Sequence, residues 1–371
     1  MNRIVSLTLA LATLAALALS TMPAPAQMPV PHELLGRKRS TFKVPRTRPW
    51  DDENYKYFGG GPDVENECGG VGHCFHRPAV WTCPHYIVPP YPARWVIRGE
   101  LMSMSREEED EQFILFRTTD NAGLFSMSDF EFDSELAYRV SAQFNFKHNL
   151  GVEAVYLRLH EELNSEIEID DADPLQLQAA GIVINSPVDP FDLFYQSRLQ
   201  SAEANLRYVP NCCYCCSYIA GFRWLELDEI FRADVEAAPP PLQVETTNTL
   251  LGGQIGAESQ HWVNYGILRI DSSIRGGVYQ NNASSVSQLD PALVAANNSD
   301  IAWIGEAEVA ANFPITKHAY VRVSYRLIHI AGIAVAADQI NSTDLAVPVT
   351  QLDTDGDAIF HGWSVGLEAW W

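Results

Sequence analysis

Seven cysteines are the side chains of this 371-residue sequence best suited to covalent or metal chemistry. They fall into two groups, Cys68, Cys74 and Cys83, and then Cys212, Cys213, Cys215 and Cys216. The second group could hold zinc or an iron–sulfur cluster, but it lacks the usual Cys-x-x-Cys pairs. We therefore expect disulfides, within the second group or between the two groups, and no metal site. Because the number is odd, one cysteine must stay free or pair between chains.

Charged side chains at alternating positions form a second set. Alternate residues of an extended chain point to opposite faces, so these charges share a face that opposes an apolar one. The set is Arg139, Glu203, Arg207, Arg223, Arg269, Asp271, Arg275, Glu306, Glu308, Arg322, Arg326 and Glu368. Enclosed by a sheet, they could pair into a network that fills a small interior, or line a pore and set its selectivity.

Acidic clusters form a third set, at residues 107–111, 170–173 and 353–357. The last has the alternating carboxylates of part of a calcium loop, but no bidentate Glu follows at the twelfth position. Weak binding of divalent cations at these segments is one possibility, and a solvated charged loop is the other.

Catalytic motifs are missing from the sequence. It contains no Gly-x-Ser-x-Gly, no His-Glu-x-x-His and no phosphate-binding loop. His160 next to Glu161, and His329, are the candidates for an acid–base pair, and an acidic chain with ten histidines brings such neighbours together by chance. We predict no enzyme activity, no catalytic residue and no cofactor.

The first 26 residues predict export. A short basic start, the apolar run from Ile4 to Leu19 and the small residues Ala24 and Ala26 are typical of a signal peptide. The chain carries 25 Lys and Arg against 47 Asp and Glu, a net charge of −22, which argues against a nucleic-acid binder. After Ala26 no stretch approaches the roughly 20 apolar residues of a membrane helix.

Residues 27–92 differ from the rest. They are rich in Pro and Gly, lack periodicity and hold the basic run Arg37–Arg39. We interpret this segment as a periplasmic arm or a plug, or as an unstructured spacer. Bridging of Cys68–Cys83 to the second cysteine group would favour a plug.

Residues 93–371 alternate apolar and polar side chains in segments of the length expected for tilted membrane strands. Three segments are clear, at residues 268–279, 136–146 and 321–327. Seven are weaker: 94–104, 150–159, 197–208, 218–227, 246–258, 301–312 and 359–371. The sequence therefore predicts an all-β fold, a transmembrane antiparallel up-and-down β-barrel of about ten strands, with eight to twelve allowed.

The connections between these segments alternate in length, as in outer-membrane barrels with short periplasmic turns and long outer loops. We predict long loops at 105–134, 160–196, 228–245, 280–299 and 332–357, with short turns between them. Both termini then lie on the periplasmic side. A soluble β-sandwich, the alternative fold, has no reason to sort its loops this way.

The last segment ends on an aromatic residue. Trp363, Val365, Leu367 and Trp371 share one face, and outer-membrane barrels commonly end in such a strand, which the insertion machinery recognises. Further aromatic residues predict interfacial belts: Trp224, Trp303, Tyr208, Tyr218, Tyr320 and Tyr325.

Three stretches resemble the outer-membrane β-barrel porin family of planctomycete-type bacteria. They are residues 219–229, 246–257 and 361–368, within a similarity that covers roughly residues 94–371. The resemblance implies an outer-membrane location, a barrel in contact with outer-membrane lipids, and passive transport of small solutes. Ten strands would leave a narrow or filled interior. A closed barrel acting through its acidic outer loops is therefore the alternative function.

Overall fold

The structure is a computed structural model. It describes residues 93–371 except 108–112, 119–122, 131, 133, 148, 160–162, 170–174, 180–181, 187–190, 211–215, 236–240, 264–267, 290–291, 317 and 343–351. The expected signal peptide and the arm at 27–92 lie outside the described residues, as do all cysteines except Cys216. No helix in the described part of the chain is long and apolar enough to cross a membrane.

The described residues form fifteen strands and one short α-helix. The strands are β1 (Trp95–Arg106), β2 (Phe113–Arg117), β3 (Gly123–Ser126), β4 (Glu135–Lys147), β5 (Leu150–Leu159), β6 (Leu163–Ile169), β7 (Leu175–Ala179), β8 (Ile182–Ser186), β9 (Phe191–Tyr208), β10 (Cys216–Val235), β11 (Leu242–Val263), β12 (Leu268–Leu289), β13 (Ala292–Thr316), β14 (Ala319–Ile333) and β15 (Gly356–Trp370). The helix is α1 (Ala336–Ser342). A single 3₁₀ turn, Met127–Asp129, lies between β3 and β4.

Ten of these strands close into an antiparallel barrel. Each pairs with its neighbour along the chain, and β15 pairs with β1 to complete the ring. The ring runs in the order β1, β4, β5, β9, β10, β11, β12, β13, β14 and β15. This confirms the predicted fold class, including the strand number.

Both ends of the barrel sequence lie at the same end of the ring, where Trp95 hydrogen-bonds with Trp371. We call this the terminal end and the opposite one the far end. The long far-end connections predicted at 105–134 and 332–357 are present. The one predicted at 160–196 contains β6, β7 and β8 and ends earlier, because β9 begins at Phe191. The loops predicted at 228–245 and 280–299 are wrong, because most of those residues extend β10, β11, β12 and β13.

A continuous apolar band covers the outside of the barrel. The exposed side chains are those that the alternation assigned to the apolar face, for example Val140, Ile274 and Val365. Others in the band are Ile97, Leu101, Val152, Leu206, Phe222, Leu251, Ile255, Val278, Ile301, Val309 and Leu367. A soluble protein would bury so large an apolar surface, whereas lipid covers it in a membrane barrel.

Exposed aromatic residues border this band. Trp303, Tyr208 and Tyr218 point outward, as predicted. Tyr320 does not, since its ring is buried in the interior beside Arg269 and stacks on Trp370 at 4.5 Å between ring centroids.

The far end of the barrel is filled with apolar side chains. The wall contributes residues of β9, β10 and β11 such as Leu193, Phe231 and Val244. The β1–β4 connection adds Met127 from its 3₁₀ turn and Phe130, the residue after that turn, while α1 adds buried residues from the β14–β15 connection. These side chains form one buried cluster, so the two connections fold into the barrel mouth and cap it.

Candidate functional site

All twelve charged residues that the sequence placed in the interior are buried there, none more than 8% exposed. They lie at alternate positions of β4, β9, β10 and β12–β15, opposite outward apolar residues. Period-two alternation positions them, since every second side chain of a barrel strand faces the lumen. The apolar residues next to them in the sequence therefore face lipid, while the charged side chains face one another across the lumen.

Four further carboxylates and arginines belong to the same cluster and were not predicted. These are Arg98, Glu100, Glu153 and Glu258, all of which form ion pairs with the twelve. Arg98 and Glu100 alternate with Ile97, Gly99 and Leu101 along β1. The alternation of β1 could therefore have revealed them.

The ion pairs cross the barrel interior. Arg223 on β10 contacts Glu306 on β13 with 2.8 Å between Nη1 and Oε2. Arg275 on β12 contacts Glu203 on β9 with 2.7 Å between Nη1 and Oε2. Since each pair joins strands that are not neighbours in the sheet, the side chains occupy the space through which a solute would pass.

Arg322 is the most highly connected of these arginines. Its guanidinium donates to Glu100 of β1 and Glu308 of β13 at 2.7 Å each, and to Asp271 of β12 at 2.9 Å. Arg326, four residues further along β14 on the same face, donates to Glu308 at 2.7 Å and also pairs with Glu306. A guanidinium group suits this arrangement, because its five N–H donors lie in one plane and can reach several carboxylates at once.

The pairs link up into one network with no net formal charge. Eight arginines (98, 139, 207, 223, 269, 275, 322, 326) meet eight carboxylates (100, 153, 203, 258, 271, 306, 308, 368). A selective pore would present charge of one sign to the passing ion. A balanced and mutually paired set is instead suited to filling space without leaving a buried charge uncompensated.

Uncharged polar residues complete this network. Asn205 donates to Glu203 at 2.9 Å, Gln254 donates to the same carboxylate at 2.8 Å, and Asn312 donates to Asp271 at 3.0 Å. Interior glycines provide the room, because a Cβ at Gly366 would lie 2.8 Å from Cγ of Glu100.

A second ion pair lies under the far-end cap. Arg106, at the end of β1, contacts Glu229 of β10 with 2.8 Å between Nη1 and Oε1, and both side chains are buried. Tyr195 donates to the same carboxylate at 2.9 Å, and the backbone N–H of Ala336, the first residue of α1, donates to it at 3.0 Å. Glu229 of β10 is thus bonded to β9 through Tyr195, to the end of β1 through Arg106 and to the capping helix α1 through Ala336.

The segment before α1 is held by an asparagine. Asn248 of β11 donates to the carbonyl of Ala334 at 2.7 Å and accepts from its N–H at 2.8 Å. Asn281 of β12 donates to the carbonyl of Gly332 at 3.1 Å. These contacts satisfy backbone groups that would otherwise be buried without partners, so the cap is a specific part of the fold.

The other residues whose side chains could do chemistry form no shared site within the described residues. Cys216 begins β10, while the remaining cysteines lie outside the described residues, so the disulfides stay a prediction. His329 is 3.1 Å from Asp357, on β14 and β15, and His160 lies outside the described residues. Most of the acidic clusters at 107–111 and 170–173 also lies outside them. Where the structure describes the chain, no three His, Cys, Asp or Glu side chains could together hold a metal ion.

No family model and no curated protein matches this chain. Its structure is similar to that of the outer membrane protease OmpT from Escherichia coli, with 9% identity over 75% of this chain and 96% of that chain and a TM-score of 0.44. The translocator domain of the autotransporter NalP from Neisseria meningitidis shares 9% identity over 76% of this chain and 90% of its own, with a TM-score of 0.40. The outer membrane protein OprG from Pseudomonas aeruginosa shares 10% identity over 75% of this chain and 96% of its own, with a TM-score of 0.23. At these values the likeness assigns neither a family nor an activity, and the planctomycete-type family stays a prediction.

Proposed function

We propose that this protein is a closed outer-membrane β-barrel that acts through its far end, exposed at the cell surface. The observation that carries the proposal is the filling of the interior. A neutral ion-pair network occupies the part of the lumen behind the apolar band, and an apolar core closes the far end. Neither region offers a continuous polar path to a solute.

An outer-membrane location follows from three features taken together. The N-terminal residues have the pattern of an export signal, the barrel has an outward apolar band for outer-membrane lipids, and exposed aromatic residues, Trp363 and Trp371, lie in and just after β15. The barrel-insertion machinery would recognise that last strand. The terminal end then faces the periplasm, where the arm at 27–92 and the cysteines of residues 211–215 would lie.

A narrow pore for small solutes is the competing proposal. It is supported by the charged side chains of the interior, because charged residues of this kind line pores and set their selectivity. For such a pore to open, α1 and the 3₁₀ turn would have to leave the barrel mouth, and ion pairs such as Arg223–Glu306 would have to part. Breaking buried ion pairs is costly when the partners remain buried. We therefore favour the closed barrel and propose no catalytic role.

Surface presentation is tested by inserting a short epitope tag between Leu289 and Ala292, the far-end limits of β12 and β13. A second tag is inserted between Val263 and Leu268, the terminal-end limits of β11 and β12. The first tag should bind antibody on intact cells, and the second only after the outer membrane is permeabilised. The reverse pattern, or a tagged protein in the soluble fraction, would contradict the proposal.

A further inference from the structure

A patch of uncharged polar side chains lies on the outer face of β11, β12 and β13, beyond the apolar band. These residues are in phase with Leu251, Val278 and Trp303, which are exposed on the same face of the three strands. The strand register arranges six of them in two rows of three. The rows are Thr249, Asn282 and Ser299, and next to them Thr247, Ser284 and Asn297. We call these six residues the polar grid.

The side chains of the polar grid face away from the barrel interior. Asn282, Asn297 and Ser299 are exposed and the other three are partly exposed, whereas residues between them in the sequence, such as Asn281, are buried. Ser299 donates to Asn282 at 3.1 Å and accepts from Gln280, just below the grid, at 3.2 Å. Side chains of neighbouring strands are thus bridged, so the donors and acceptors are held in place on a continuous sheet.

The height of the polar grid indicates what lies beside it. Asn282 and Ser284 follow Val278, an exposed apolar residue of the band, by four and six residues along β12. A rise of about 3.3 Å per residue and a tilt of about 35–45° place them about 9–16 Å beyond Val278 along the membrane normal. The polar layer of a phospholipid leaflet is only about 5–8 Å thick. The grid therefore lies above ordinary headgroups and within reach of a longer one.

The chemistry of the polar grid matches sugar hydroxyls. A hydroxyl group both donates and accepts hydrogen bonds, and the side chains of Asn, Ser and Thr together do the same. A phosphate would require Lys or Arg, and the grid contains neither. Protein interfaces centre on Trp, Tyr and Arg and are depleted in Ser, which also differs from the grid. The composition thus favours an uncharged sugar over a phosphate or a protein.

The neighbouring strands show that an uncharged outer face is not general at this height. The row that contains Thr247 continues onto β10 as Asp228 and onto β9 as Arg198. These two residues form an ion pair with 2.5 Å between Nη2 and Oδ2, and Arg232 pairs with Asp234 nearer the far end of β10. The wall beyond the band is therefore charged on β9 and β10, and the charge ends where the grid begins.

We propose that the polar grid binds the uncharged sugar headgroup of a glycolipid in the outer leaflet. This inference deepens the proposed function and rests on it, because it requires the far end to project from the cell-surface side. The acyl chains would pack on the apolar band below, beside Val278 and Trp303. Hydrogen bonds from the grid to the outer sugars would then distinguish this lipid from its neighbours.

The test compares two uncharged glycolipids that share a ceramide and differ in the number of sugars. The full chain is refolded into phosphatidylcholine nanodiscs that contain equal amounts of globotetraosylceramide, with four sugars, and glucosylceramide, with one. Mass spectrometry counts the lipids that stay on the protein after release into mild detergent. We expect the four-sugar lipid to be retained in at least about fivefold excess, because only its outer sugars reach the grid. Equal retention of both lipids, or retention of neither, would overturn the proposal.

Two double variants localise the binding. Asn282→Ala with Asn297→Ala removes both amides of the polar grid, whereas Gln196→Ala with Gln200→Ala removes two amides from the outward face of β9. The first should lower the excess below about twofold, and the second should leave it above about fourfold. Heat-modifiable migration on a gel checks that both variants fold. Equal losses would show that the sugars bind elsewhere and would refute the site.

Conductance separates this inference from the proposed closure. A wild-type barrel that conducts ions yet retains the four-sugar lipid in excess would refute the closure and leave the site standing. A silent barrel without that excess would refute the site alone.

Discussion

Glu229 is the residue on which the far-end cap depends most. Its carboxylate is buried and satisfied by Arg106, Tyr195 and the N–H of Ala336. A buried ion pair contributes little net stability over an apolar pair, but removal of one partner leaves an uncompensated charge. The consequence of a single substitution is therefore large and specific.

We predict that Glu229→Ala lowers the free energy of unfolding by about 3–5 kcal/mol, because the buried Arg106 then loses the carboxylate that its Nη1 contacts at 2.8 Å. Urea unfolding of the refolded protein in micelles measures the loss. Glu226→Gln is the matched control, since Glu226 faces outward on the same strand and, among the described residues, its side chain accepts from Gln200 alone. Its cost should be under about 0.5 kcal/mol.

The double variant Arg106→Met with Glu229→Leu removes both charges together. It should cost clearly less than the two single changes added, because neither charge is left unpaired. Additive costs would show that the two residues do not act as a pair and would contradict the role given to Glu229.

At the residue scale the sequence predicted the network better than the cap. Strict alternation with apolar residues located Arg269, Asp271 and Arg275 on the interior face. Glu229 could not be found in the same way, because residues 228–245 were expected to be a loop. Its partners Arg106 and Tyr195 lie on strands that are distant in sequence, and a local sequence pattern does not predict contacts between such residues.

At the element scale, the turn of β14 away from β13 depends on Gly332. We predict that Gly332→Ala lowers the free energy of unfolding by about 1–3 kcal/mol and loosens the cap. Residues with a side chain rarely adopt the positive φ of Gly332, and the added Cβ would also lie too close to the carbonyl oxygen of Ile301. Protease sensitivity of the 334–355 connection in the refolded protein reports the loosening.

Gly305→Ala provides the control for this change. Gly305 lies in β13 with open space where a Cβ would be placed, so the alanine should be tolerated. If both variants resist protease as the wild type does, Gly332 does not hold the cap in place.

The facing of the strands gives a second prediction at this scale. Ile274→Arg puts a charge on the lipid face of β12 and should cost about 2–4 kcal/mol, whereas Ser284→Arg on the same strand, outside the band, should fold normally. The folded fraction in bilayers, measured by heat-modifiable migration on a gel, distinguishes them. Equal folding of both would contradict the assigned band.

The sequence predicted all ten barrel strands but not their far ends. Within the apolar band, each strand has an apolar outer face and a polar inner face, so the alternation is easily recognised in the sequence. From Gln280 to Gln288 most side chains on both faces of β12 are Asn, Gln or Ser, so alternation disappears although the strand continues. Long strands beyond the membrane therefore resemble loops in a single sequence.

At the scale of the whole molecule, the barrel is filled by two different means. Behind the apolar band, where the wall must stay intact in lipid, balanced ion pairs span the lumen. At the far end, where the strands rise beyond the band, apolar residues from two connections form an ordinary core. Ten strands enclose little more space than side chains can occupy, so the strand number and the filling agree.

The most direct test of this account is the single-channel conductance of the refolded wild-type protein in a planar bilayer, with folding checked by heat-modifiable migration. We expect a folded, inserted barrel that stays silent, because under the proposed function the network and the cap close the lumen. Stable and reproducible conductance steps from the folded wild-type protein would contradict the closed lumen and make its charged residues the determinants of a pore.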